Sequence, residues 1–199
     1  MRCVIFGALP VERLPFKITD SDYIIACDRG LAVAKALNIT PDLIIGDFDS
    51  LGCVPEGENV MRLNVRKDDT DVSVAVKTAL KKGFKEISVL GALGGAFDHS
   101  LANFQIAAFT ANRGADTKFY NSDGFLTAIT DGKITLPESR SRFSVFAVND
   151  CSGVFIKGAE FPLENADLSP LFPLGVSNAQ TGVTEISVKK GTLAIFSYL

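Results

Sequence analysis

The sequence predicts an α/β domain with a mostly parallel sheet, followed by a small all-β domain. In the first part, short continuous apolar runs alternate with stretches whose apolar residues repeat at helical spacing. In the second part, β-like runs are separated by Gly, Pro, Asn and Asp, without an amphipathic helix between them. We therefore expect two domains, residues 1–127 and 128–199.

The elements of the first domain follow in chain order. Continuous apolar runs are typical of strands covered on both faces, and they occur at 4–7, 23–27, 43–45 and 87–90. Helices are predicted at 31–37, from Thr70 to a stop at Gly83, and at about 100–112. The middle helix has the clearest apolar stripe, which comprises Val72, Ala75, Val76, Ala79 and Leu80.

The second domain is predicted from five β-like runs, at 134–136, 143–148, 154–156, 185–189 and 192–197. The segment 175–179 is interpreted as a turn between two of them. A domain of roughly 65 residues is at the low end for independent folding, so we expect it to be stabilised by packing against the first domain or another subunit.

Charge and composition narrow the function classes. The net charge is −3 and the pI is about 5.2, so there is no basic excess to neutralise nucleic-acid phosphates, and no nucleic-acid partner is expected. No apolar run is long enough to span a membrane, and no signal-peptide pattern is present, so we expect no membrane partner and a cytoplasmic location. His99 is the only histidine, and the four cysteines lack zinc-site spacing.

Acidic residues follow the predicted strands. Asp47 and Asp49 come directly after the run 43–45, and in an extended chain both carboxylates point the same way, as suits Mg²⁺. Asp28 follows the run 23–27. The alternative for Asp47 and Asp49 is a surface turn, but their place after a buried strand favours a site. Asp28 can instead cap the short helix after it.

The segment Arg66-Lys67-Asp68-Asp69-Thr70-Asp71 stands at a predicted helix start. Lys67 or Arg66 can meet phosphate charge, and Asp71 can add a metal ligand. The alternative is that Asp68, Asp69 or Thr70 simply caps the helix.

A glycine-rich turn follows the run 87–90 and contains Gly94 and Gly95, which let backbone N–H groups approach phosphates. Asp98, His99 and Asn103 come next, at a helix start. The alternative is a tight connection with Asp98 as the helix cap. Because strand ends in a parallel sheet line one crevice, the acids together favour Mg²⁺ and a polyphosphate substrate.

The sequence resembles the thiamine pyrophosphokinase family, whose ordered motifs match most of the chain. The matching segments are Cys27-Asp28-Arg29-Gly30, Pro41-Asp42 through Gly46-Asp47-Phe48-Asp49-Ser50, Lys67-Asp68-Asp69-Thr70-Asp71, Gly94-Gly95-Ala96-Phe97-Asp98-His99 with Asn103, and Ser177-Asn178. The resemblance implies a Rossmann-like domain and a β-sandwich in a homodimer with sites between subunits. It implies ATP and thiamine as substrates.

The resemblance also assigns roles to residues. It implies Mg²⁺ binding by Asp28, Asp47, Asp49 and Asp71, and a place near thiamine for Asp98 and Ser177-Asn178. Either Asp71 or Asp98 would take the thiamine hydroxyl proton. The remaining expected substrate or phosphate contacts are Arg29, Lys67, Asp68, Thr70, Gly94, Gly95, His99 and Asn103.

The chain departs from the family pattern at two points. Ala96 stands where the family has Arg; Arg29, which replaces a family glycine, either partly compensates or is only a variant turn residue. Some members of the family stack thiamine on a Trp, and this chain has none, so a Phe or Tyr would have to take that place. Three other functions stay open: a pyrophosphokinase for another hydroxymethyl heterocycle such as a pterin, a module that binds thiamine or a nucleotide without turnover, and a phosphohydrolase.

Overall fold

The computed structural model describes residues 1–48, 55, 57, 59–64, 68–136 and 138–198. The described chain is mostly β-sheet, with three helices, and divides into two compact units. The first comprises Met1–Asn103 with Lys118–Ser122, and the second Phe104–Thr117 with Asp123–Leu199. The division into domains 1–127 and 128–199 stays a prediction.

The first unit contains a parallel sheet. Its strands are β1 (Arg2–Phe6), β2 (Tyr23–Cys27), β3 (Leu43–Gly46), β4 (Val60–Arg62) and β5 (Glu86–Leu90). The order is β5-β1-β2-β3-β4, and every adjacent pair is parallel. Apolar side chains on β1, β2 and β5 are almost fully buried, as their continuous apolar runs predicted. The carboxyl ends of these strands therefore share one edge.

The three helices are α1 (Gly30–Ala36), α2 (Asp71–Lys81) and α3 (Phe97–Ala111). On α2, Ala75, Val76 and Ala79 are fully buried, so the predicted apolar stripe does face the core. Helix α3 begins three residues before the predicted start, so Asp98 lies within its first turn. No helix in the described ranges has the length and apolarity needed to cross a membrane.

The second unit is built from antiparallel strands. They are β7 (Gly124–Thr130), β8 (Lys133–Leu136), β9 (Arg142–Ala147), β10 (Cys151–Ala159), β11 (Leu163–Leu168), β12 (Gly175–Lys190) and β13 (Thr192–Tyr198), while β6 (Asp116–Tyr120) is divided between the units. Within the described residues, the strand pairs among β7–β13 are antiparallel. Phe143, Val145 and Ile186 are fully buried in its core. Sheet pairing is thus mixed along the chain, parallel for β1–β5 and antiparallel for β7–β13.

The segment 175–179 is a strand, so its interpretation as a turn was wrong. It forms the start of β12 and pairs with β9, with a register shift between Gly175 and Asn178. Ser177 has a φ of 59°, a value expected in a turn but compatible with a bulged strand. Among the described residues, four strands were not predicted, namely β4, β6, β7 and β11. Edge strand β11 carries the charged residues Glu164 and Asp167, so its sequence lacks a hydrophobic run.

Candidate active site

A cavity of about 450 Å³ lies at the carboxyl ends of the parallel strands, within the first unit. Segments directly after β1, β2 and β5 contribute to its wall, together with the first turns of α2 and α3. The lining residues are Ala8, Leu9, Cys27, Asp28, Asp69, Thr70, Asp71, Val72, Gly91, Ala92, Gly94, Ala96, His99 and Asn103. This is the position at which open α/β sheets bind their ligands.

Asp28 enters the cavity wall from a tight turn between β2 and α1. Its φ is 47°, in the left-handed region that Asp tolerates better than most residues. Its backbone N–H donates to the carbonyl oxygen of Ile45 at 2.8 Å. Gly30 lies so close to the carbonyl oxygen of Phe6 that no side chain would fit there. The turn therefore holds Asp28 at one position at the end of β2.

Asp71 is placed by the start of α2. The Thr70 side chain accepts a hydrogen bond from the Ser73 backbone N–H at 3.1 Å, so Thr70 is the helix cap. Asp71 follows in the first turn, where the helix dipole favours negative charge. Of the three caps that the sequence left open, the structure selects Thr70.

Asp69 lines the cavity and forms an ion pair with Lys77 of α2. The Lys77 Nζ lies 2.6 Å and 2.8 Å from the two carboxylate oxygens. Both side chains are more than two-fifths exposed, so the pair adds little stability, but it does fix where the Asp69 charge lies.

Cys27 is buried between these two acidic segments. Burial raises the pKa of its thiol well above the ordinary value, and the nearby carboxylates of Asp71 and Asp28 raise it further. Its Sγ donates to the Asp71 backbone carbonyl at 3.7 Å. The thiol therefore stays protonated and serves to pack β2 against the start of α2, rather than as a nucleophile.

The glycine-rich turn after β5 forms another part of the wall. Gly91, Gly94 and Gly95 all have positive φ, at 67°, 99° and 66°, which explains why glycine occupies them. The buried Asn103 side chain donates from Nδ2 to the Ala92 carbonyl oxygen at 2.6 Å. His99 lines the cavity at the start of α3.

The predicted site residues of the first domain fall into three groups. Asp28, Thr70, Asp71, Gly94, His99 and Asn103 line the cavity, whereas Arg29, Asp47, Asp68, Gly95 and Asp98 are described but are not among its lining residues. Asp47 directly follows β3, at the same sheet edge as Asp28. Asp98 is exposed, and its Oδ1 accepts the His99 backbone N–H at 2.9 Å. Asp49 and Lys67 lie outside the described residues.

Ser177 and Asn178 belong to the second unit, and Asn178 is 4% exposed. Its Oδ1 accepts the Phe161 N–H at 3.0 Å, and its Nδ2 donates to the Phe161 carbonyl at 2.7 Å. The amide therefore fixes the backbone at residue 161. Ser177 is exposed, and its N–H donates to the Ser144 Oγ at 3.1 Å.

Sequence reasoning missed the segment after β1. Ala8 and Leu9 line the cavity, and the Leu9 N–H donates to the Gly91 carbonyl oxygen at 2.9 Å. These residues are apolar and lack a recognisable motif. The available signal was their position just after a buried strand and Gly7, because every strand end of a parallel sheet faces the same crevice.

The metal-binding potential of the cavity rests on Asp28 and Asp71. In each, the Oδ1 atom is buried, and carboxylate oxygens are the donors that Mg²⁺ prefers. Within the described ranges, no three His, Cys, Asp or Glu side chains are grouped closely enough to form a metal site. Asp49, the remaining predicted ligand after β3, lies outside those ranges.

Comparison with known proteins identifies the family of this chain. Residues 16–118, just over half of the chain, match the family model described as thiamin pyrophosphokinase, catalytic domain. The chain belongs to the thiamin pyrophosphokinase family. This confirms the resemblance seen in the motifs. The match extends from before β2 to β6 and includes Asp28, Asp71 and the glycine-rich turn.

Individual relatives of this family agree with the match. The chain is 23% identical to the thiamine pyrophosphokinase of Bacillus subtilis over 164 residues, covering 77% of this chain and 76% of the relative. A crystal structure of the Bacillus subtilis protein superposes with a TM-score of 0.87 at 22% identity, covering 100% and 99% of the two chains. The Geobacillus thermodenitrificans protein gives 0.85 at 24%, covering 100% and 98%. These likenesses establish a thiamin pyrophosphokinase fold.

Proposed function

We propose that this protein is a thiamine pyrophosphokinase, which transfers a pyrophosphoryl group from ATP to the hydroxyl of thiamine. The products are thiamine pyrophosphate and AMP. The observation that carries the proposal is one cavity at the strand ends that joins Asp28 and Asp71 to a glycine-rich turn. Family membership supports the same reaction, because the named relatives are thiamine pyrophosphokinases.

The donor set of the cavity fits Mg²⁺. Asp28 and Asp71 would hold it, with Asp47 and Asp49 after β3 as the further proposed ligands. Hard carboxylate oxygens are the right donors, and Mg²⁺ binding usually combines one or two carboxylates with substrate phosphates. When bound, the ion would neutralise charge on the phosphate oxygens.

The residues of the chain would position the reactants. The hydroxyl oxygen of thiamine forms a bond to the β-phosphorus, the bond from that phosphorus to the bridging α–β oxygen breaks, and AMP leaves. Backbone N–H groups of the glycine-rich turn would orient the phosphates, since positioning supplies much of the catalysis in such transfers. Lys67, Arg29, Asp68, Thr70 and His99 are the further proposed phosphate or substrate contacts.

Asp71 or Asp98 would take the hydroxyl proton. Asp71 lines the cavity, and Asp98 stands beside His99, another lining residue. The pH profiles of Asp71→Asn and Asp98→Asn distinguish them, because loss of the base removes the acidic limb of kcat whereas loss of a metal contact raises the Mg²⁺ requirement.

We also propose a cytoplasmic homodimer with a Rossmann-like first domain and a β-sandwich second domain that brings Ser177 and Asn178 towards thiamine. Apolar exposure in the second unit supports association. Leu171 is 93% exposed, Phe172 68% and Phe161 63%, and the neighbours Leu171 and Phe172 are the kind of large exposed apolar side chains that interfaces bury.

The deciding experiment measures AMP released from ATP and Mg²⁺, with and without thiamine. We expect AMP release to depend on thiamine and to match thiamine pyrophosphate formation. AMP release only with a pterin alcohol would assign the sister activity instead. Release of inorganic phosphate without an acceptor would indicate a phosphohydrolase, and ligand binding without turnover would indicate a binding module.

A further inference from the structure

The glycine-rich turn from Gly91 to Ala96 has no polar or charged side chain of its own to fix its backbone. Its six residues are three glycines, two alanines and one leucine, so it lacks both polar and charged side chains. Three of its residues are glycines with positive φ, and glycine has more accessible backbone conformations than any other residue because it lacks a Cβ. A fixed shape for this turn must therefore come from groups elsewhere in the chain.

The Leu9 N–H holds the beginning of the turn through the Gly91 carbonyl oxygen at 2.9 Å, and two side chains of α3 hold the rest. The Ser100 Oγ accepts the Gly94 backbone N–H at 3.2 Å and lies 3.3 Å from the Gly94 carbonyl and 3.4 Å from the Ala96 carbonyl, to either of which it can donate. The Asn103 Nδ2 holds the Ala92 carbonyl at 2.6 Å. Residues 100 and 103 lie one turn apart on the helix, so they reach two points of the turn from the same face.

Because the turn has no cationic side chain, this support matters for phosphate binding. With Ala96 where the family pattern has Arg, the turn can meet a phosphate only through backbone N–H groups. Neutral N–H donors depend steeply on distance and angle, whereas a charged side chain can adjust to its ligand. Affinity for phosphate at this turn therefore depends on how firmly its backbone is held.

We propose that Ser100 and Asn103 are positioning residues that clamp the glycine-rich turn for binding the polyphosphate of a nucleotide. The inference rests on the proposed function for the identity of the ligand. It changes the role expected for Asn103, from a direct substrate contact to a support for the turn. It adds Ser100, which the motif comparison did not single out.

The test compares Ser100→Ala with Ser100→Thr, which keeps the hydroxyl, and with Gln105→Ala on the exposed face of α3. Amide hydrogen exchange followed by NMR reports on the backbone of residues 91–96 without any ligand. Calorimetric titration with ATP and Mg²⁺ reports on affinity. For Ser100→Ala we expect faster exchange at the Gly94 amide and an ATP Kd raised about 5-fold, the effect of losing a neutral hydrogen bond.

The conservative and control variants sharpen the result. Ser100→Thr should restore both readouts, and Gln105→Ala should leave them at wild-type values. In turnover assays, Ser100→Ala should raise KM for ATP while KM for thiamine stays unchanged. Asn103→Ala should speed amide exchange near Ala92. If Asn103→Ala fails to fold, the comparison of folded Ser100→Ala with Ser100→Thr still tests the clamp.

Each contrary outcome overturns one part of the clamp proposal. Unchanged exchange in Ser100→Ala, or loss of affinity in Ser100→Thr equal to that in Ser100→Ala, would overturn the clamp. Faster exchange with unchanged ATP affinity would overturn its role in binding. A wild-type protein that does not bind ATP would contradict the proposed function, while the exchange data would still decide whether the clamp exists.

Discussion

At the residue scale, two acidic side chains carry most of the proposed chemistry. Asp28 and Asp71 enter the cavity from different elements, one from a left-handed turn after β2 and the other from the first turn of α2. Each has a buried carboxylate oxygen. Burying two carboxylates near one cavity is costly unless a cation or a hydrogen-bond donor balances their charge.

We expect Asp71→Asn to lower kcat/KM for thiamine-dependent AMP release by at least about 100-fold, since it removes charge where the transferring phosphates are stabilised. Asp28→Asn should act in the same direction. Steady-state kinetics at several Mg²⁺ concentrations provide the measurement. The matched control is Asp20→Asn, an exposed aspartate on the chain between β1 and β2. Near-wild-type turnover in both site variants would rule out the metal site.

At the element scale, the start of α2 links helix stability to the site. The cap residue Thr70 and the acidic residue Asp71 are neighbours, so the bond that begins the helix also fixes the backbone that carries the Asp71 carboxylate. The Thr70 Oγ1 lies 2.7 Å from the Ser73 Oγ as well. The ion pair between Asp69 and Lys77 ties the preceding residue to the same helix.

Thr70→Ala should destabilise the protein by about 1 kcal/mol through loss of the helix cap. For a chain of this size that corresponds to a fall in Tm of roughly 2–4 °C. Thermal unfolding followed by circular dichroism measures it. Thr70→Ser keeps the capping oxygen and should retain most of the stability; if Thr70→Ser is destabilised as much as Thr70→Ala, the cap is not the cause.

At the scale of the whole molecule, ligand binding and association should both be measurable. The cavity lies within the first unit, and the exposed apolar side chains named above lie within the second. The two properties can thus be tested independently.

ATP with Mg²⁺ should raise the Tm, because a ligand that binds only the folded state stabilises it. At a hundred times Kd the gain is about 2.7 kcal/mol, or roughly 5–10 °C for a chain of this size. Differential scanning calorimetry gives the shift. Adding EDTA should abolish most of it, and an equal shift with EDTA present would show that the nucleotide binds without a metal.

Light scattering after size-exclusion chromatography should give twice the chain mass of 21.3 kDa. Burial of exposed apolar side chains would drive this association. Leu171→Ser with Phe172→Ser should shift the mass towards that of one chain if these residues form the interface. A wild-type mass of 21.3 kDa at micromolar concentration would contradict the homodimer.

The sequence by itself determined the features that depend on local patterns. Continuous apolar runs identified β1, β2, β3 and β5, because burial on both faces requires apolar side chains at consecutive positions. The stripe on α2 follows from helical periodicity. The rule that strand ends share an edge brought Asp28, Asp71 and the glycine-rich turn to one crevice, and all three do line the cavity. The ordered motifs identified the family.

Only the tertiary structure decided which groups contact one another across long stretches of chain. Residues 175–179 look like a turn locally, but pairing with β9 makes them a strand. Asn178 bonds Phe161, 17 residues away, and Asn103 bonds Ala92, 11 residues away. Leu9 and Ser100 belong to no recognisable motif, yet Leu9 lines the cavity and Ser100 accepts a hydrogen bond from the Gly94 N–H. The physical reason is that periodicity reports which face is buried, whereas a hydrogen-bond partner depends on the path of the whole backbone.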